Sequence, residues 1–152
     1  MFREMRRIKN QMSEVSTLEL LKNAQEGVLG TISDNGYPYT VVVNHVLYQN
    51  KIYFHSAKTG HKIDNIIANP NVSFTVYGNE YILEEEFTTK YQSATLFGQA
   101  KIIPGNKEVL MELIKKYSPN FIESGTSYVN KDFSTTILVE ITIEHITGKE
   151  RL

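Results

Sequence analysis

Apolar and polar positions along this chain follow two periods, and the points where one gives way to the other outline its elements. Leu18 and Leu21 open an apolar stripe within Ser16-Thr17-Leu18-Glu19, which has the form of a capping box, and the stripe ends at Gly27. A short first helix is expected there. Val28–Ser33 reads as a strand that reaches Asp34-Asn35-Gly36, a hairpin signal because Asn-Gly accepts the positive φ angles of a type I′ turn. The valine-rich return strand runs from Tyr39 to Leu47, and Asn50-Lys51 turns the chain into Ile52–His55. These three strands are expected to form an antiparallel meander.

Ile63, Ile66 and Ile67 then repeat at helical spacing, so Gly60–Ala68 is expected to be a helix stopped by Asn69-Pro70. Val72–Tyr77 is a further strand, Gly78–Lys90 a polar loop around Glu84-Glu85-Glu86, and Tyr91–Ile103 a long strand with Gly98 at a bulge or bend. Val109, Leu110, Leu113, Ile114 and Tyr117 share one face of a helix over Lys107–Tyr117. Ser118–Asp132 reads as irregular and Thr135–Ile143 as the last strand. The pattern predicts a mainly β protein: a single domain, residues 1–152, built as a six-stranded antiparallel barrel with short peripheral helices. A Rossmann fold is excluded by the missing helix–strand alternation and the missing GxGxxG.

Composition narrows the function classes. The 152 residues are 41% apolar and 22% charged with a net charge of −1, so no basic field points to nucleic acid or an anionic membrane. Arg3, Arg6, Arg7 and Lys9 read as a solvated arm that packs on the body or a partner. The absence of cysteine removes disulfides, thiolate nucleophiles and cysteine metal sites. With no apolar run long enough to span a bilayer and no signal-peptide pattern, a cytoplasmic protein is expected.

The densest chemistry lies in Tyr53–Val72, where a strand ending in His55-Ser56 passes through a short polar turn into the helix that opens at Gly60-His61-Lys62. A helix start offers unpaired N–H groups and partial positive charge, and Ser56, Thr59, His61 and Lys62 add donors, so the junction suits a phosphate. Spacing alone leaves open that Thr59 is a plain N-cap and Lys62 a solvated lysine. Along Tyr39–Asn44, Thr40, Val42 and Asn44 face one way and Val41 and Val43 the other; the strand is either ordinary core or a backbone edge for a flat heteroaromatic ring. His45 could meet His55 across the sheet, but two histidines without a third ligand make no metal site, so none is expected.

The ordered set of motifs resembles the FMN-binding split-barrel proteins related to pyridoxamine 5′-phosphate oxidase, and within them the Nim-type (nitroimidazole-resistance) branch. It comprises Met5-Arg6-Arg7, Gly36-Tyr37-Pro38-Tyr39, Val43-Asn44, Tyr53-Phe54-His55-Ser56-Ala57 with Gly60-x-Lys62, Asn69-Pro70, Tyr91-x-Ser93 leading to Gly98, and Ile146-Thr147-Gly148-Lys149. The resemblance implies a homodimer with FMN at the subunit interface. It implies His55 and Ser56 at the ribityl and phosphate end, and His61 and Lys62 on the phosphate. Backbone bonds from the Thr40, Val42, Val43 and Asn44 strand would hold the ring. Ser93 would reach in from the partner chain, Lys149 would close the site, and His55 is the catalytic candidate. The implied activity is a flavin-dependent oxidoreductase acting on a nitroaromatic or other small organic acceptor; the alternative is a non-catalytic dimer that binds or senses flavin or haem. Two departures stand out. Position 61 is His where many relatives carry Arg, and Tyr39–Asn44 lacks the Arg and Lys of the vitamin B6 oxidases, which argues against that reaction.

Overall fold

The computed structural model describes residues 1–152. Its strands are β1 (Gly27–Ile32), β2 (Pro38–Val43), β3 (Val46–Tyr48), β4 (Lys51–Ser56), β5 (Asn71–Leu83), β6 (Thr88–Pro104) and β7 (Ile137–Arg151). Four α-helices accompany them: α1 (Glu14–Asn23), α2 (His61–Ala68), α3 (Lys107–Tyr117) and α4 (Ile122–Asp132). The strands form one antiparallel sheet in the order β2-β1-β5-β6-β7-β4-β3. This is the mainly β, antiparallel architecture the pattern predicts, with seven strands in place of six, in an open sheet consistent with the split barrel that the resemblance implies.

The extra strand arises because the expected Tyr39–Leu47 strand breaks at Asn44-His45. β2 pairs only with β1, and β3 pairs with β4, so the two halves occupy opposite edges of the sheet. The expected meander is therefore absent: β4 takes β7 as its second neighbour. The break is held from outside the strand. The His45 N–H donates to the Tyr117 hydroxyl at 3.0 Å, and the His45 carbonyl accepts from Lys116 Nζ at 2.8 Å. The Tyr117 hydroxyl also lies 2.9 Å from the His45 carbonyl and 2.6 Å from the Gln25 carbonyl.

The turns show why neighbouring residues matter more than dipeptide type. In the β1–β2 hairpin only Gly36 has positive φ (84°), whereas the β3–β4 turn places Gln49 (49°) and Asn50 (64°) there, the pair a two-residue I′ turn needs. α1 starts earlier than expected, with Ser13, not Ser16, accepting from the Ser16 N–H as N-cap. The expected loop over Gly78–Lys90 is instead a ribbon in which β5 and β6 stay paired out to Leu83↔Thr88. Gly98 sits at a shift of the β6–β7 register, as expected of a bulge; a Cβ there would lie 2.2 Å from the Thr142 carbonyl oxygen.

Both faces of β4 are covered. Ile52 and Phe54 point into the main core with Leu21, Leu29, Phe74 and Ile141, while Tyr53 joins Val109, Leu110, Leu113, Val129 and Leu138 beneath α3 and α4. Each large apolar side chain fully buried in this way contributes roughly 1.5–3 kcal/mol. α4 occupies the stretch expected to be irregular, and it lies so close to α3 that a Cβ on Gly125 would be 2.4 Å from Ile114 Cγ2.

Candidate functional site

The end of β4 and the start of α2 come together as the sequence implies. α2 has no side-chain cap, and its N-cap Gly60 adopts φ 143° with nothing within 4 Å of where a Cβ would stand. The first-turn N–H groups of His61, Lys62 and Ile63 therefore have no side-chain cap. Lys62 is half-buried and takes part in no ion pair. Ser56 is half-buried nearby in sequence, its hydroxyl turned to the Ala57 carbonyl at 2.9 Å.

His61 is more constrained than its spacing suggests. Its Nε2 lies 3.1 Å from Ser33 Oγ, and its ring packs against Tyr39 with centroids 4.0 Å apart. Behind it, buried Asn65 donates to Thr31 Oγ1 at 3.0 Å and Ser33 Oγ at 3.2 Å. This network fastens the first turns of α2 to the β1–β2 hairpin. It was not legible beforehand, although Asn65 on the apolar side of the helix was a signal: it takes the buried place expected for Ile67, which is exposed.

β2 behaves as the alternation requires. Val41 and Val43 pack on the core, while Thr40, Val42 and Asn44 are exposed. Because β2 is an edge strand, one side of its backbone has no strand partner, so its N–H and C=O groups on that side are available. Thr40 opens onto a cleft of about 570 Å³ that also includes Gly30, Ser73 and Phe97.

His55 and Asn44, although on strands at opposite ends of the sheet order, line one smaller pocket under α3 and α4. His45 does not meet His55. It is fully buried on the other face of the sheet, edge-on to Phe74 with ring centroids 4.9 Å apart, and its Nε2 bonds the Leu21 carbonyl at 2.8 Å. Its Nδ1 has no partner, and burial pushes its pKa down to about 4 against the opposing pull of the Leu21 bond, with Lys116 adding a smaller push. No group of three or more His, Asp or Glu is placed to hold a metal ion, and no helix is long and apolar enough to cross a membrane.

Ser93 and Lys149 form a second group. They are register partners on β6 and β7, in the row Tyr77↔Ser93↔Lys149, and face away from the buried Ala94. Lys149 Nζ lies 5.7 Å from the Tyr91 ring centroid. Along β6 this row is four residues from Phe97, which lines the cleft beside Thr40.

The open sheet, with its uncapped helix start beside a free edge strand, defines the split-barrel class. The sequence model of one family, described as pyridoxamine 5′-phosphate oxidase, matches residues 13–150, and the chain belongs to that family. No curated protein matches the chain in sequence. Among solved structures, the chain is similar to the conserved hypothetical protein Rv2991 of Mycobacterium tuberculosis (TM-score 0.82, 17% identity, 97% of this chain and 90% of that one). It is similar to a candidate 5-nitroimidazole antibiotic resistance protein of Bacteroides thetaiotaomicron (TM-score 0.71, 18% identity, 91% and 85%). It also resembles an FAD and haem binding protein of Mycobacterium smegmatis (TM-score 0.71, 16% identity, 93% and 73%). At these identities the likeness is one of fold.

Proposed function

We propose that this chain is an FMN-dependent oxidoreductase of the nitroimidazole-resistance branch, acting as a cytoplasmic homodimer on a nitroaromatic or other small organic acceptor. The carrying observation is the donor set at the start of α2: unused first-turn N–H groups, an unpaired Lys62 and open space before Gly60, all beside the free edge of β2. A dianionic phosphate is the group such a set fits, since charge-assisted bonds from N–H and ammonium donors are roughly twice as strong as neutral ones.

In this reading Lys62 and the first-turn N–H groups hold the phosphate, with Ser56 adding a hydroxyl. His61, fixed by Ser33 and Tyr39, presents its second ring nitrogen. The backbone of Thr40, Val42, Val43 and Asn44 borders the ring system. Ser93 and Lys149, register partners on β6 and β7, complete the site from the partner protomer. FMN, when bound, supplies reversible electron uptake and release. The protein supplies placement, and His55 is the side chain positioned to donate or accept a proton at the substrate.

A visible absorption spectrum of the purified protein, taken before and after FMN addition and desalting, tests the reading. Retained flavin bands are the expected result; a protein that stays colourless after FMN loading refutes it. The similarity to an FAD and haem binding protein favours the alternative, a dimer that holds flavin or haem without turnover. A Soret band, or a bound flavin that no acceptor reoxidises, would support that alternative instead.

A further inference from the structure

Three buried polar side chains stand behind the first turn of α2, and their protons can be counted. Thr31, Ser33 and Asn65 are 2%, 4% and 5% exposed, an expensive arrangement unless each donor among them finds an acceptor. The two amide protons of Asn65 go to Thr31 Oγ1 at 3.0 Å and to Ser33 Oγ at 3.2 Å. The Thr31 hydroxyl has one proton, which goes to the Tyr39 carbonyl at 3.4 Å. The backbone of Ser33 is occupied in the β1–β2 hairpin, its N–H on the Tyr37 carbonyl and its carbonyl on the Gly36 N–H. That leaves the proton of the Ser33 hydroxyl. Asn65 presents only a donor to this oxygen, so the acceptor that remains is His61 Nε2 at 3.1 Å.

We infer that Ser33 is a positioning residue: its hydroxyl donates to His61 Nε2 and holds the neutral ring as the Nδ1–H tautomer, so His61 meets a bound cofactor as a hydrogen-bond donor. A neutral imidazole whose one nitrogen accepts a bond carries its proton on the other. His61 is exposed, its Nδ1 bonds no group of the chain, and the Tyr39 ring packed 4.0 Å away restrains the imidazole. The inference rests on the flavin reading for the identity of the acceptor, a phosphate oxygen; the tautomer follows from the proton count alone. It also bears on the haem alternative. A protonated Nδ1 has no lone pair to give, so His61 in this arrangement does not ligate iron. Asn65 acquires a reason to stand on the buried face of α2: by donating to Ser33 it directs the hydroxyl proton toward His61.

Long-range proton–nitrogen correlation NMR of the isotope-labelled, flavin-free chain reads the tautomer directly at about pH 8.5, where free histidine is neutral. The chain has four histidines, and His61→Gln identifies the signals of residue 61. The expected spectrum has a protonated Nδ1 and an unprotonated Nε2 at His61, and Ser33→Ala should shift the ring toward the Nε2–H form. FMN binding, followed by fluorescence, should weaken roughly threefold to tenfold in Ser33→Ala. A Ser33 with only a structural role would lower Tm on substitution without moving the tautomer. A protonated Nε2 in the wild type overturns the inference, and so does a His61 tautomer that Ser33→Ala leaves unchanged. Wild-type FMN affinity in a Ser33→Ala protein whose tautomer has moved overturns the positioning role. If Ser33→Ala does not fold, the wild-type spectrum decides by itself. Flavin retention is read separately by absorbance. A protein with the Nδ1–H ring that retains no FMN sinks the oxidoreductase reading alone; one that retains FMN with a protonated Nε2 sinks this inference alone.

Discussion

Tyr117→Phe isolates one hydroxyl on which the sheet's unusual crossing depends. The phenol oxygen accepts from the His45 N–H at 3.0 Å, and its single proton serves either the Gln25 carbonyl at 2.6 Å or the His45 carbonyl at 2.9 Å. Lys116 Nζ reaches the His45 carbonyl independently at 2.8 Å, so that acceptor stays satisfied without the hydroxyl. The substitution leaves the His45 N–H with no acceptor and removes the donor to Gln25. A lost bond with a partly buried donor left unpaired costs roughly 1–3 kcal/mol, and the phenylalanine ring keeps its packing against the smaller apolar cluster beneath α3 and α4. We expect a loss of about 2 kcal/mol, a fall of about 4–8 °C in Tm for a chain of this length. Urea unfolding and thermal circular dichroism measure it. A change below about 0.5 kcal/mol would show that the crossing needs no such clamp and that β2 and β3 part for another reason.

Three further outcomes follow from named contacts. Lys62→Ala should weaken FMN binding roughly 10- to 100-fold by fluorescence titration, with no change in Tm, because the side chain pairs with no protein carboxylate; unchanged affinity would remove Lys62 from the phosphate site. Burial lowers the His45 pKa from 6.5 to about 4, so the folded state binds its proton less readily than the unfolded state. Its contribution, about 3 kcal/mol, is fully present above pH 6.5 and is lost as the pH falls toward 4. Urea midpoints at pH 7.5 and 4.5 should therefore differ more in the wild type than in His45→Gln, and equal differences would refute the assignment. Gly98→Ala should cost about 3 kcal/mol in the same assay, since its Cβ would meet the Thr142 backbone carbonyl at 2.2 Å; a neutral result would mean that the bulge shifts freely.

The readable parts of the fold were those whose partners are implied by their own period. α3 matches the expected Lys107–Tyr117 because five apolar residues share one face, and β6 extends only slightly beyond its expected ends. α4 was not readable: Gly125, Ser124, Thr126 and Ser127 are poor helix formers, and the helix exists because Gly125 lets it press on Ile114 and because Val129 is buried. The β2–β3 break was equally hidden, since Val41, Val43 and His45 keep one alternation throughout. What changes there is the partner strand, and a local pattern does not name partners. At the candidate site, the β4–α2 junction was legible from residue types. The tethering of His61 to Ser33 and the meeting of Asn44 with His55 depended on how the sheet curls.

The place of β4 between β3 and β7 has a consequence for the order in which the protein is made. His55 and Ser56 pair with Leu138 and Ile137, residues that leave the ribosome long after them. At about 5–20 residues per second, β4 spends several seconds flanked only by the three-residue β3, with Phe54 and Tyr53 uncovered. During that interval it is an apolar open edge, the kind of segment that recruits foreign strands. A nascent chain thus holds His55, Ser56, His61 and Lys62 well before it has the strand that aligns them. Premature termination between Lys62 and Ile137 would yield a polypeptide that retains those four residues and lacks the strand that pairs with His55 and Ser56.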